Sequence, residues 1–223
     1  MLKYHSSKHP TSYYVFTTID GINMPRFAPI CHFRYIFHNL HGKSKPRKSR
    51  QNTANQSILG GKTNMIKILF VCHGNICRSP MAEFIMKDMV EKAGLSDQFH
   101  IASAATSTEE IWNGIGNPVY PPARTKLAEH GIGCAGKRAV QLKQSDYGKY
   151  DYLIGMDSVN IRNMRRMLGR DPEGKIHKLL SFAGSDRDIS DPWYTGDFDA
   201  TYRDVSEGCE GLLEYLQEQY KAL

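Results

Sequence analysis

The 223-residue chain has no apolar run long enough to cross a bilayer, and its start lacks the shape of a secretory signal. Cysteine is scarce and odd in number. Cys31, Cys72, Cys77, Cys134 and Cys209 have no framework spacing, which argues against a disulfide scaffold and fits a reducing cytoplasm. There is no Cys-x2-Cys pair and no histidine cluster, so no metal is expected. No internal repeat is present. Acidic residues are nearly missing from residues 1–64, which hold ten of the 29 Lys/Arg but only one of the 23 Asp/Glu, Asp20. From Met65 onward, 19 bases face 22 acids, so the net charge of +6 belongs to the N-terminal stretch and describes nothing after it.

That stretch reads as a basic, disordered extension. Its cluster Lys43-Ser44-Lys45-Pro46-Arg47-Lys48-Ser49-Arg50 leads into an Asn/Gln/Ser/Gly-rich linker. Four readings stay open for it. It is upstream sequence read from too early a start, with Met65 the true one; a disordered arm without a fixed role; a basic arm meeting nucleic acid or acidic lipid; or a transit peptide, given its few acids and many Arg and Ser.

Residues 65–223 carry the chemistry. The β-branched apolar run Ile66-Lys67-Ile68-Leu69-Phe70-Val71 reads as a buried parallel strand. Cys72-His73-Gly74-Asn75-Ile76-Cys77-Arg78-Ser79 follows, and Pro80 with Met81-Ala82-Glu83 opens a helix. A tight loop between strand and helix aims backbone N–H groups and the positive end of the helix dipole at one point, an oxyanion site. Cys72 adds a nucleophile and Arg78 a bidentate anion clamp. Cysteine attacks as the thiolate, a minor species for an ordinary thiol at neutral pH; converging amides, the helix end and Arg78 all favour the anion. The five residues between Cys72 and Arg78 suffice to wrap one tetrahedral phosphate. The alternative, a strand-end cysteine packed as a small hydrophobe, leaves Gly74, Asn75, Arg78 and Ser79 as coincidences.

Beyond the loop, elements alternate. A helix runs through Lys92, with strands expected at residues 100–104, 150–156 and 175–182. Helices are expected at residues 121–130, ending at Gly131; at residues 158–168, ending at Gly169; and at about residues 202–220, where Val205, Leu212, Leu213 and Leu216 lie near one face. This predicts one doubly wound α/β domain with a four-stranded parallel sheet flanked by helices. Its ligand site should lie at the carboxyl ends of the strands, where Cys72 falls.

The loop resembles that of the low-molecular-weight protein tyrosine phosphatases, whose signature is V-C-x5-R-S after the first strand. Asp191-Pro192-Trp193-Tyr194, 119 residues after Cys72, is similar to that family's general-acid loop D-P-[YW]-Y. Ser103 and Asp157 also stand at family-like positions. The resemblance implies that Cys72 forms a cysteinyl-phosphate, that Arg78 and the loop amides hold the phosphoryl oxygens, and that Asp191 is the general acid. Ser79 would hydrogen-bond the sulfur, and Asn75 would hold the loop. The loop residues His73, Gly74, Asn75, Ile76, Cys77 and Ser79 would form the substrate site with Trp112, Trp193 and Tyr194, whose flat rings would sandwich an aryl group. Tyrosine-phosphorylated proteins would be the substrates, with no cofactor and no metal. In relatives that look like arginine-phosphate phosphatases a Thr stands at the position of Ile76, so Ile76 leans toward phosphotyrosine; a deep slot would exclude the shorter phosphoserine.

Local alternatives remain beside these roles. Asp191 before Pro192 is also a turn starter, and Asp157 a helix cap. Cys77 either packs under the loop or forms a reversible disulfide with Cys72, and His73 is either an exposed loop residue or an aid to thiolate formation. Lys137 stands where many relatives carry a histidine that braces the phosphate loop, so bracing is an open question. Two rival functions share the pattern. An arsenate reductase needs a cysteine pair after the third strand, and residues 158–174 hold none. A non-catalytic phosphate-binding module would be expected to have lost Cys72, Arg78 or Asp191.

Overall fold

A computed structural model describes residues 65–220. The expectations for residues 1–64, with Cys31 among them, lie outside the described residues. Strand β1 (Ile66–Cys72) leads through the Cys72–Arg78 loop into helix α1 (Arg78–Lys92), followed by β2 (Phe99–Ala105). A two-stranded hairpin, β3 (Ile111–Trp112) and β4 (Ile115–Gly116), precedes α2 (Pro121–Glu129), β5 (Tyr152–Gly155) and α3 (Ser158–Leu168). Then come β6 (Ile176–Lys178), the short α4 (Pro192–Thr195) and the long α5 (Phe198–Gln219).

The main sheet has the order β2-β1-β5-β6, and every neighbouring pair is parallel. Alternation along β1 builds two cores. Ile66, Ile68, Phe70 and Cys72 face one side with α1, α2 and α5; Leu69 and Val71 face the other with Met164 and Leu168 of α3. Helices therefore cover both faces, as the alternating pattern implied. On α5, Val205, Cys209, Leu212 and Leu216 form the buried stripe, and Leu213 packs at its border. The described helices include none long and apolar enough to cross a membrane.

Several boundaries differ from the sequence reading. The fourth strand stops at Lys178, because Leu179 and Leu180 are both buried; adjacent side chains on one side suit the tight turn Leu179–Ala183, not a pleated strand. Helix α5 starts a turn earlier than expected, where the Asp197 carboxylate accepts the Ala200 N–H at 2.8 Å. Helix α1 begins at Arg78, leaving Pro80 within the first turn, where its missing N–H costs nothing. The hairpin was not anticipated. Its turn is Asn113-Gly114, both at positive φ (50° and 77°), the pairing a tight hairpin demands.

Candidate active site

Cys72 ends β1 at the carboxyl edge of the sheet, and the loop after it folds back over the thiol. The Asn75 N–H donates to Cys72 Sγ at 3.3 Å, and Ser79 Oγ lies 3.0 Å from the same sulfur. That inward amide requires Asn75 to take a left-handed conformation (φ 58°), which asparagine tolerates better than most residues. Gly74 is confined: a Cβ there would meet Glu110 Cγ at 3.0 Å.

Beneath the loop runs a polar network that fixes its direction. Asn75 Nδ2 donates to Ser79 Oγ and to Ser103 Oγ, each at 2.8 Å, while its Oδ1 accepts the Val140 N–H at 3.1 Å. Ser103 in turn donates to Glu83 at 2.6 Å. Since Ser79 Oγ accepts from Asn75, its own hydrogen can point at the sulfur, where it stabilises a thiolate. Lys137 closes the network: its ammonium pairs with Glu83 at 2.9 Å and donates to the Ser103 carbonyl at 3.0 Å. Burial opposes the charge on Glu83, but Lys137, with Lys87 and Ser103, outweighs it and holds the carboxyl below its ordinary range. Lys137 thus braces the loop that the sequence left in question.

Arg78 is buried at the start of α1 and gathers the remaining groups. Its Nη1 donates to Asp157 at 2.5 Å and to the Ile189 carbonyl at 3.1 Å, while its Nη2 pairs with Asp191. Nε is buried and, among the described residues, has no hydrogen-bond partner. Burial works against the guanidinium charge, but Cys72, Asp191 and Asp157 facing it hold it protonated. Each aspartate is a helix cap and also reaches Arg78. Asp157 caps α3 through Asn160 N–H and touches Arg78; Asp191 caps α4, accepting Trp193 N–H at 3.1 Å, and reaches the same arginine. Ile189 N–H, bonded to the Met156 carbonyl at 2.9 Å, ties the Asp191 segment to the end of β5.

These groups border a cleft of about 120 Å³. Its floor is Cys72, His73, Gly74, Ile76, Cys77 and Arg78; Asp191, Trp193 and Tyr194 form one wall, and Glu109 and Glu110 another. Trp193 leans on Tyr120, ring centroids 5.2 Å apart. Asn75 and Ser79 are buried beneath the loop and do not line the cleft. Trp112 does not line it either. It is 71% exposed on the hairpin, since the alternate residue Ile111 faces the core and turns Trp112 outward. His73 pairs with Glu109 at 2.9 Å. Cys77 is buried with a free thiol; burial pushes its thiol well up, and the charges of Cys72 and Asp191 add to that. Among the described residues, no three His, Cys, Asp or Glu side chains converge where they could hold a metal ion.

Glu109 and Glu110 are the cleft's unforeseen members, and Tyr120, packed against Trp193, is an unforeseen support of its wall. The Asn113-Gly114 turn was the one signal that could have shown the Glu109–Glu110 segment folding back beside the cleft.

The family described as low molecular weight phosphotyrosine protein phosphatase matches residues 67–222. The chain is 40% identical over 157 residues to the low molecular weight protein-tyrosine-phosphatase YfkJ of Bacillus subtilis, which covers 70% of this chain and 98% of that protein. The crystal structure of YfkJ superposes with a TM-score of 0.67 at 39% identity, over 72% of this chain and 99% of that one. A Drosophila arginine phosphatase has a similar crystal structure, with a TM-score of 0.61 at 32% identity, over 68% of this chain and 98% of that one.

Proposed function

The chain belongs to the low-molecular-weight phosphotyrosine protein phosphatase family, and from that premise we propose that it hydrolyses phosphotyrosine through a cysteinyl-phosphate on Cys72. The observation that carries the reading is the sulfur itself, held by the Asn75 amide and the Ser79 hydroxyl in a cleft shared with Arg78 and Asp191. In the first step the Cys72 thiolate attacks phosphorus, the bond from phosphorus to the phenolic oxygen breaks, and Asp191 gives that oxygen its proton. Arg78 supports this step. Its unpaired Nε and its Nη2 can take two phosphoryl oxygens once Nη2 leaves Asp191, which frees that carboxyl for proton transfer. In the second step Asp191 takes a proton from water as the water attacks phosphorus, the sulfur leaves, and Ser79 stabilises the departing thiolate. Phosphate and the phenol are the products.

Trp193 and Tyr194 are flat walls, and Ile76 an apolar surface in the floor, suited to a phenyl ring, which lets a phosphate on a long aryl arm reach the Cys72 sulfur. Tyrosine-phosphorylated proteins in a reducing cytoplasm are the proposed substrates. For the basic residues 1–64, the charge imbalance supports weak contact with nucleic acid or acidic lipid. One observation favours phosphoarginine as the second reading: Glu109 and Glu110 put two carboxylates in the cleft, where a guanidinium would be attracted.

A turnover panel on the full chain decides between them, comparing peptides bearing phosphotyrosine, phosphoserine and phosphoarginine, with arsenate as a further arm. Phosphotyrosine is expected to give a kcat/KM at least about a hundredfold above the others, a barrier difference of roughly 2.7 kcal/mol. A higher value for phosphoarginine, or thiol-dependent arsenate reduction, would replace the phosphotyrosine assignment.

A further inference from the structure

A second depression, of about 250 Å³, lies beside the catalytic cleft and is lined by His73, Thr106, Ser107, Asn163, Arg166 and Met167. His73 borders both cavities. The depression is fixed to the phosphate loop by backbone bonds: Thr106 N–H donates to the Cys72 carbonyl and Ser107 N–H to the His73 carbonyl, each at 2.9 Å. It therefore starts one residue from the nucleophile.

Its chemistry is that of an anion site. Helix α3 reads Ser-Val-Asn-Ile-Arg-Asn-Met-Arg-Arg-Met-Leu and has no acidic residue. Arg162, Arg165 and Arg166 on it, and Arg170 just beyond, are exposed, and among the described residues none pairs with a carboxylate. Surface helices ordinarily offset such charges with acids three or four residues away. Arg165 and Arg166 in the last turn suit the helix dipole. The dipole accounts neither for the missing acids nor for the position of Arg166 on a depression beside Cys72. Asn163, one turn before Arg166, faces the same depression. Glu109 and Glu110 line the catalytic cleft itself, and Glu109 is held by His73 at 2.9 Å, while among the lining residues of the depression there is no carboxylate.

We infer that this depression is a subsite for an anionic residue of the substrate peptide, a carboxylate or a second phosphoryl group, placed near the phosphotyrosine and held by Arg166. The inference rests on the phosphotyrosine reading above. An extended peptide advances about 3.3–3.6 Å per residue, so a side chain one to three positions from the tyrosine spans the step from one cavity to the next. The depression meets the cleft at His73 alone, so only one arm of a bound peptide passes over it and the preference is directional: acid is favoured on one side of the phosphotyrosine only.

The test measures kcat/KM for phosphotyrosine peptides with neutral flanks and for the same peptides carrying a single glutamate or a second phosphotyrosine at each of three positions on either side. Acid on one side is expected to raise kcat/KM about three- to fivefold, the size of one exposed charge pair, and the gain should shrink at high salt. Arg166→Glu should invert the preference and Arg166→Lys should keep most of it. Arg166 is exposed, and circular dichroism checks that each variant is folded. A preference that is absent, equal on both sides, or unchanged in Arg166→Glu overturns the subsite while the neutral peptide is still hydrolysed. Failure on the neutral peptide itself overturns the phosphotyrosine reading and the subsite with it.

Discussion

Cys72→Ser is expected to lower turnover of any aryl phosphate by at least about a thousandfold while phosphate or vanadate still binds. A serine oxygen fits the position, and the Asn75 N–H and Ser79 hydroxyl that now meet the sulfur remain in place. What is lost is the nucleophile. A serine hydroxyl is a far weaker acid than a thiol and a poorer nucleophile and leaving group, so an oxygen at this position cannot replace the sulfur. Steady-state rates together with isothermal titration of vanadate check both halves. A variant that kept a tenth of the activity would remove Cys72 from its role.

Asp191→Asn is expected to slow phosphotyrosine hydrolysis by on the order of a hundredfold or more, and hydrolysis of an activated nitrophenyl ester far less. A phenolate with a pKa near ~10 leaves poorly without a proton, as for the tyrosine hydroxyl; a nitrophenolate is a much weaker base and leaves unaided. The substitution is clean structurally. An asparagine oxygen can still accept the Trp193 N–H that caps α4, and Arg78 keeps its contacts with Asp157 and the Ile189 carbonyl. The pH–rate profile should also lose the limb that reports the acid. Equal losses on both substrates would mean that Asp191 only shapes its loop, and Asp157, on the same guanidinium, would become the next candidate acid.

The sequence made the middle of this site legible because its chemistry is local. A strand, a seven-residue loop and a helix place Cys72 and Arg78 with little help from the rest of the chain, and Asp191 carries its own capping signal before Pro192. Contacts made across the fold were harder to read. Lys137 reaches Glu83 from 54 positions away, and nothing in either neighbourhood marks them as partners. Trp112 lies away from the expected cleft position because one Asn-Gly turn decides which way a two-residue strand presents its side chains. The fourth strand was read too long for a related reason. A run of apolar residues fits a strand or a tight turn equally well, and only the joint burial of Leu179 and Leu180 separates the two.

In the proposed mechanism the phosphoryl group passes through the Cys72 sulfur. Rapid acid quenching of the enzyme during turnover of a phosphotyrosine peptide, followed by mass mapping, tests it directly. A phosphoryl group on Cys72 that forms and decays as fast as the enzyme turns over is the predicted result. Phosphate released with no covalent enzyme species, or a label on any residue other than Cys72, would contradict it.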